Sequence, residues 1–216
     1  MDEPEYLRST RVSYDLLAGH VADAWRDELE RKPHDRAMLS AFADVIRAAG
    51  GGPVTDVGCG AGRISDWLRK AGLDVEGIDL SAGMLAAARR DYPGLRFTEG
   101  DMLALDLPEE SRAGIVAWYS IIHLPRERVP DAFAGFRRVL RPGGYLQLAF
   151  QAGDDDVYRT EGFGLQLDLY FRRHRPGTVT EQLAAAGLAV QACLVREPVR
   201  EEKTPQAFIL ARRPDA

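Results

Sequence analysis

Cysteine is scarce: Cys59 and Cys193 are the only two in 216 residues. That excludes a disulfide framework and a Cys/His zinc cluster, and it points to a reducing compartment. No apolar run approaches the ~18 residues of a membrane span. The opening residues, Met1-Asp2-Glu3-Pro4-Glu5, are acidic and carry no apolar signal core. A cytoplasmic protein with no membrane partner is expected. Positive charge is not in excess either. The formal net charge is −5, which argues against a nucleic-acid partner, since such partners select clustered Lys and Arg. Internal repeats and long low-complexity stretches are absent. What remains is an ordinary globular composition, 45% hydrophobic and 28% charged, at a length suited to one domain with short additions.

The pattern along the chain is helical first. Tyr14, Leu16, Leu17, Val21 and Trp25 recur at helical spacing, and a second helix over 35–49 is stopped by Gly50-Gly51-Gly52-Pro53. Strands and helices then alternate. Strands are expected at 54–57, 74–78, 95–98, 115–119 and 145–150. Helices are expected at 63–71, 82–90 (capped by Ser81) and 130–140 (opened by Pro130). This alternation implies right-handed crossovers, a parallel sheet and helices on both faces. A helix over 178–186 and strands over 189–198 and 206–212 follow, the two strands pairing antiparallel. The segment 151–176 shows no clear period. It follows a strand's C-terminal end, where open α/β sheets bind ligands. The single domain therefore divides into a helical cap (1–50), a binding core (51–150), a substrate lid (151–176) and a C-terminal helix and hairpin (177–216).

The densest signal is Asp56-Val57-Gly58-Cys59-Gly60-Ala61-Gly62-Arg63, between a strand and a helix. Glycines here allow a sharp turn and close backbone approach, and the helix start favours a negative group. The dinucleotide fingerprint would place its third glycine at Arg63; here it is Gly62. A phosphate loop would need Lys-Ser or Lys-Thr after the glycines, and neither is present. Asp56 sets a carboxylate where a pyrophosphate would lie. It repels phosphate and suits an ammonium, so the ligand should carry a cation and an anion together, as an amino acid does. Asp79 ends the second strand, about 20 residues past the loop, where a carboxylate grips a ribose diol. After the third strand, Asp101 can accept from an exocyclic amine and the Met102 N–H can face a ring nitrogen. Leu80 and Met102 suit the two faces of an apolar ring. Seats for an amino acid, a ribose and a purine thus occur in that order.

Asp56-x-Gly58-x-Gly60-x-Gly62, Asp79, Gly100-Asp101-Met102 and Leu140-Arg141-Pro142-Gly143-Gly144 together resemble the successive motifs of class I S-adenosylmethionine-dependent methyltransferases of the small-molecule type. The resemblance covers roughly 53–150. It implies a Rossmann-like doubly wound sheet of seven strands, one of them reversed. It also implies S-adenosyl-L-methionine as cofactor and S-adenosyl-L-homocysteine as product. The implied cofactor-binding residues are Tyr14, Asp56, Gly58, Cys59, Gly60, Asp79, Leu80, Met84, Asp101, Met102 and Tyr119. Tyr119 would offer its carbonyl to the methionine amino group, and Tyr14 would cover the cofactor. The sequence departs from the family at Gly114, where the fourth strand usually opens with an acid. No Asn-Pro-Pro-Tyr or Asp-Pro-Pro-Tyr follows the fourth strand, which argues against adenine-N6 and glutamine methylation.

Further candidates sit outside these motifs. His123, just after the fourth strand, is the candidate general base. Cys59 reads as a small buried filler rather than a nucleophile. Asp154-Asp155-Asp156 reads as a solvated acidic loop rather than a metal site, and no metal is expected. Arg172-Arg173-His174-Arg175 reads as an exposed helix end, with an acidic substrate as the alternative. His20 and His174 have less positional support. Trp25 is expected in the core, with Trp118 and Tyr158 nearer the mouth of the site. A small-molecule acceptor methylated at O or N is the expected partner. The rival is a non-catalytic cofactor-binding sensor or scaffold; a nicotinamide-dependent oxidoreductase is disfavoured by Asp56 and the glycine spacing.

Overall fold

The computed structural model describes residues 3–215. The ends of the 1–50 and 177–216 segments (residues 1–2 and 216) lie outside it. Two helices lead: α1 (Glu5–Trp25) and, after a short 3₁₀ turn, α2 (Pro33–Ala48), each with one buried stripe. Then come β1 (Pro53–Val57), α3 (Arg63–Lys70), β2 (Asp74–Asp79), α4 (Ala82–Asp91), β3 (Arg96–Glu99), β4 (Arg112–Trp118), α5 (Val129–Val139) and β5 (Leu140–Gln151). A hairpin of β6 (Asp156–Gly162) and β7 (Leu165–Arg172) follows, and α6 (Pro176–Ala185), β8 (Ala189–Arg196) and β9 (Gln206–Arg212) close the chain.

The main sheet has seven strands in the order β3-β2-β1-β4-β5-β9-β8. Pairing is parallel from β3 to β5, and β9 runs antiparallel to both β5 and β8. One strand is therefore reversed, as the resemblance implied. Buried strands explain the sequence: β4 is almost wholly apolar, and β1 is buried on both faces although Thr55 and Asp56 are polar, because helices cover both. Phe42, Ile46 and Leu68 fill one side, and Phe133, Phe136 and Leu183 the other. Gly114 also finds its reason here. A Cβ at that position would lie 2.7 Å from Phe42 and from Ile46, so α2 occupies the room an acidic side chain would need.

The order of strands reverses between β1 and β4, which opens a cleft at their C-terminal ends. α1 overhangs it, and the hairpin backs α1. α1 lies across α4, and the β6–β7 hairpin lies across α1 through Leu17, Val21, Met84 and Leu169. The hairpin corrects the reading of 151–176 as a segment without period. Leu165, Leu167 and Leu169 alternate with Gln166, Asp168 and Tyr170, the period of a half-buried strand.

Candidate active site

A cavity of about 1150 Å³, counted to its open mouth, occupies this cleft. Tyr14, Asp56, Gly58, Cys59, Gly60, Asp79, Leu80, Met84, Asp101, Met102, Tyr119 and His123 all line it. Tyr6, Thr10, Trp25, Arg63, Trp118 and Ser120 line it as well.

The floor is the glycine loop. Gly58 and Gly60 have φ of +72° and +54°, backbone that favours glycine. The N–H groups of Gly58 and Cys59 both donate to the Ile78 carbonyl, at 2.7 and 3.1 Å. Asp79 clamps the loop from the next strand: its Oδ2 accepts from the Gly60 N–H at 2.7 Å and its Oδ1 from the Ser81 N–H at 2.8 Å. A carboxylate has about four acceptor sites, so each oxygen keeps a lone pair for the cavity. Burial raises the Asp79 pKa. Asp101 accepts from the Leu103 N–H at 2.9 Å.

Asp56 is 1% exposed. Its Oδ2 accepts from the Ser65 hydroxyl at 2.6 Å, while Oδ1 has no partner. Burial pushes its pKa up to about 7. Tyr119 follows at the end of β4 with a φ of +56°, sparse backbone territory for a bulky residue, held by its N–H on the Ala149 carbonyl at 2.8 Å.

His123 is buried where α1, the 3₁₀ turn after β4 and β7 meet. Its Nδ1 lies 2.9 Å from the Tyr170 carbonyl and its Nε2 lies 2.8 Å from the Tyr14 hydroxyl. A carbonyl only accepts, so Nδ1 carries the proton and Nε2 receives the Tyr14 O–H. Burial lowers the His123 pKa to about 4. A lowered histidine pKa contributes stability that is present above its ordinary range and lost as pH falls through the folded value. The stability advantage of wild type over His123→Gln should therefore shrink by roughly 2–3 kcal/mol between pH 7 and pH 4, read by urea denaturation at each pH. A constant difference across that window would count against the neutral buried imidazole.

Several expectations change. Trp25 is 39% exposed and lines the cavity instead of packing in the core, at the last turn of α1, where Arg26 pairs with Asp91 at the end of α4. Tyr158 stacks on Tyr170 on the outer face of the hairpin and is not part of the wall. His20 stacks on Phe163, and His174 is buried beside Phe150 outside the cavity. Arg172–Arg175 are the end of β7 and the approach to α6, not a helix end. Arg173 and Arg175 pair with Asp155 and Asp154, and Arg126 pairs with Asp156. The acidic run is solvent-exposed, as expected of a solvated loop, and its aspartates also pair with Arg126 and the basic run. Among the described residues no cluster of His, Cys, Asp or Glu could hold a metal, and no helix is long and apolar enough to cross a membrane.

Asp15 was not legible as a site residue. On α1, its Oδ1 accepts from the Ser81 hydroxyl at 2.6 Å and the Gly83 N–H at 2.8 Å, which fastens α1 to the start of α4. Its polar position on a helix carried no signal of a partner so distant in the chain.

A Rossmann-like sheet with a glycine loop and carboxylates ending successive strands defines a nucleoside-binding domain. Residues 54–144 match the model of the family described as a methyltransferase domain. The core of this chain is therefore similar to a methyltransferase domain. Malonyl-[acyl-carrier protein] O-methyltransferase of Pectobacterium atrosepticum is 34% identical over 56% of this chain and 46% of its own. Demethylmenaquinone methyltransferase of Renibacterium salmoninarum is 34% identical over 65% of this chain and 62% of its own. The chain thus spans about half to three-fifths of the length of these relatives. In fold it is similar to 1,6-didemethyltoxoflavin-N1-methyltransferase of Burkholderia thailandensis, with a TM-score of 0.73, 21% identity, and coverage of 100% of this chain and 94% of that one.

Proposed function

We propose that this protein transfers the methyl group of S-adenosyl-L-methionine to a nucleophilic O or N of a small organic acceptor, by in-line displacement, in the cytoplasm. The observation that carries the reading is the alignment of Asp56, Asp79 and Asp101 along one cavity roofed by α1. The residues fit that cofactor. Asp56 Oδ1 and Ser120 Oγ are buried polar atoms with no partner in the protein, and such atoms call for a polar ligand.

When bound, the cofactor supplies a methyl group made electrophilic by its sulfonium. The remaining work falls to side chains. Asp79 accepts from the ribose hydroxyls, and Asp101 and the Met102 N–H meet the purine edge. Leu80, Met84 and Met102 pack on the ring, while Asp56 and the Tyr119 carbonyl hold the ammonium. Tyr14 and α1 exclude water, which strengthens every electrostatic contact beneath them. Positioning supplies about 7–11 kcal/mol of the barrier in a well-oriented displacement. A proton leaving the acceptor reaches His123 Nε2 only by way of the Tyr14 hydroxyl, so the pair, rather than the imidazole alone, meets the acceptor.

A small acceptor is supported by the enclosed, largely apolar wall of Tyr6, Leu7, Trp25, Trp118 and Leu124. Demethylmenaquinone methyltransferase, named for a small quinone precursor, points the same way. The β6–β7 hairpin within 151–176 acts as the lid only through α1, on which it packs; none of its own residues lines the cavity. Calorimetric titration with S-adenosylhomocysteine, followed by a labelled-methyl screen of small phenols, carboxylates and amines, tests the reading. Micromolar binding and turnover of one class are expected. Absence of binding sinks the methyltransferase reading, and binding without turnover on any acceptor favours the sensor.

A further inference from the structure

An acceptor that enters the cavity beside the cofactor meets a wall whose charges are already engaged. Arg63 is the one cation among the described residues that line it. Its Nη2 pairs with Glu28 at 2.8 Å, and its Nη1 is buried, out of an acceptor's reach. Glu28 heads a chain of ion pairs. It meets Lys32 at 2.5 Å, Lys32 meets Glu202 at 2.6 Å, Glu202 meets Arg196 at 2.5 Å, and Arg196 meets Asp35 at 2.9 Å. Their common role is to hold Arg63 from the protein side. The acids of the wall are engaged as well. Asp91 pairs with Arg26 at 3.0 Å and with Arg90 at 2.7 Å, and Asp56, Asp79 and Asp101 belong to the cofactor in the reading above. A carboxylate needs a cationic partner to leave water for such a site, and this wall has none to give.

A phenol or alcohol has a different requirement: its proton must leave as the bond to the methyl group forms. His123 and Tyr14 both line the cavity, and both are locked. The imidazole donates from Nδ1 to the Tyr170 carbonyl at 2.9 Å and accepts the Tyr14 hydroxyl at Nε2 at 2.8 Å. It also packs edge-on against Tyr14 and Phe171, with ring centroids 5.1 and 5.0 Å away. Arg172 donates to the His123 carbonyl at 2.9 Å and brings a positive charge near the ring. Burial lowers the His123 pKa to about 4 and raises that of Tyr14. Neither side chain takes a proton from a neutral hydroxyl near pH 7. Tyr14 has one hydroxyl hydrogen and His123 holds it, so toward any other group the Tyr14 oxygen can only accept.

We propose that the acceptor is a neutral amine, whose nitrogen carries at least one hydrogen and attacks the methyl group with its own lone pair. This rests on the methyltransferase reading above and narrows its O or N to nitrogen. An amine needs neither the missing cation nor the missing base. The nitrogen lone pair forms the bond to the methyl carbon, the carbon–sulfur bond breaks, and its electron pair stays on sulfur. Positive charge passes from sulfur to the N-methylammonium product, which gives its extra proton to water after release. The N–H of the attacking nitrogen also suits the accepting oxygen of Tyr14.

The test supplies the purified protein with labelled S-adenosylmethionine and matched panels of primary and secondary amines, phenols and carboxylates of one to three rings, with products identified by mass spectrometry. The best amine should exceed the best phenol and the best carboxylate in kcat/KM by about 100-fold or more, the low end of what a general base contributes to reactions that need one. Across amines of graded basicity, the pH at which kcat/KM rises should move with the amine's own pKa, because the neutral form reacts. A rise at one fixed pH for every amine would reveal a base on the protein and overturn the proposal. Preferred turnover of a phenol or a carboxylate would overturn it too. Binding of S-adenosylhomocysteine with no amine methylated would overturn it while leaving the cofactor site in place. No binding of S-adenosylhomocysteine would instead sink the reading on which it rests.

Discussion

Asp79→Ala is expected to weaken S-adenosylhomocysteine binding by about 100-fold or more, since charged hydrogen bonds contribute about 1.5–3 kcal/mol each. Two losses combine. The ribose hydroxyls lose their acceptor, and the Gly60 N–H loses the Oδ2 that fixes it at 2.7 Å. The loop then relaxes beneath the ligand. The Ser81 N–H loses its acceptor as well, so a lower melting temperature should accompany the binding defect. Asp79→Asn separates the effects. It keeps one acceptor oxygen without the charge, and should retain more stability than affinity. Calorimetry and thermal melting on both variants read the outcome. Affinity unchanged in Asp79→Ala would remove Asp79 from the site.

Gly58→Ala should be the most destabilising single change in the glycine loop. A Cβ there would lie 2.3 Å from the Ser120 Cβ, and the backbone sits at φ +72°. Left-handed backbone costs a non-glycine residue about 1–2 kcal/mol, and overpacking adds about 1–3 kcal/mol. A combined loss of about 3 kcal/mol lowers Tm by about 10 °C at this chain length. Gly60→Ala is the contrast: its φ is +54° but nothing lies within 4 Å of the added carbon. It should lose only the backbone part in stability while obstructing the cavity. Because the clash at Gly58 is with one methylene, Ser120→Gly should restore part of the lost Tm in the double variant. No recovery would place the cost elsewhere in the loop.

Periodicity and punctuation made most elements legible. The strand over 206–212 has its expected bounds, and the helix capped by Ser81 does receive its Met84 N–H, at 3.0 Å. Bounds shifted where packing extended a ladder. The strand expected over 145–150 runs from Leu140 to Gln151 because β4 supplies a partner at Arg112 and β9 pairs through Gln206. The hairpin over 156–172 escaped notice because only β7 alternates; β6 is exposed along most of its length and carries no apolar rhythm.

What the sequence determined by itself is what local chemistry encodes. Glycines at φ-demanding turns, acids at strand ends and apolar runs for a sheet covered on both faces point to a nucleoside-binding core similar to a methyltransferase domain. Each depends on neighbours a few positions away or on a spacing repeated by construction of the fold. What the tertiary structure decided depends on contacts between segments far apart in the chain. Docking of α1 through Asp15 turned Trp25 from core to cavity wall. Docking of the hairpin through Tyr170 set the His123 tautomer and committed its free nitrogen to Tyr14. The chain of ion pairs from Asp35 to Arg63 spans four elements. Its members are ordinary surface charges in sequence, and only burial together gives them a common role.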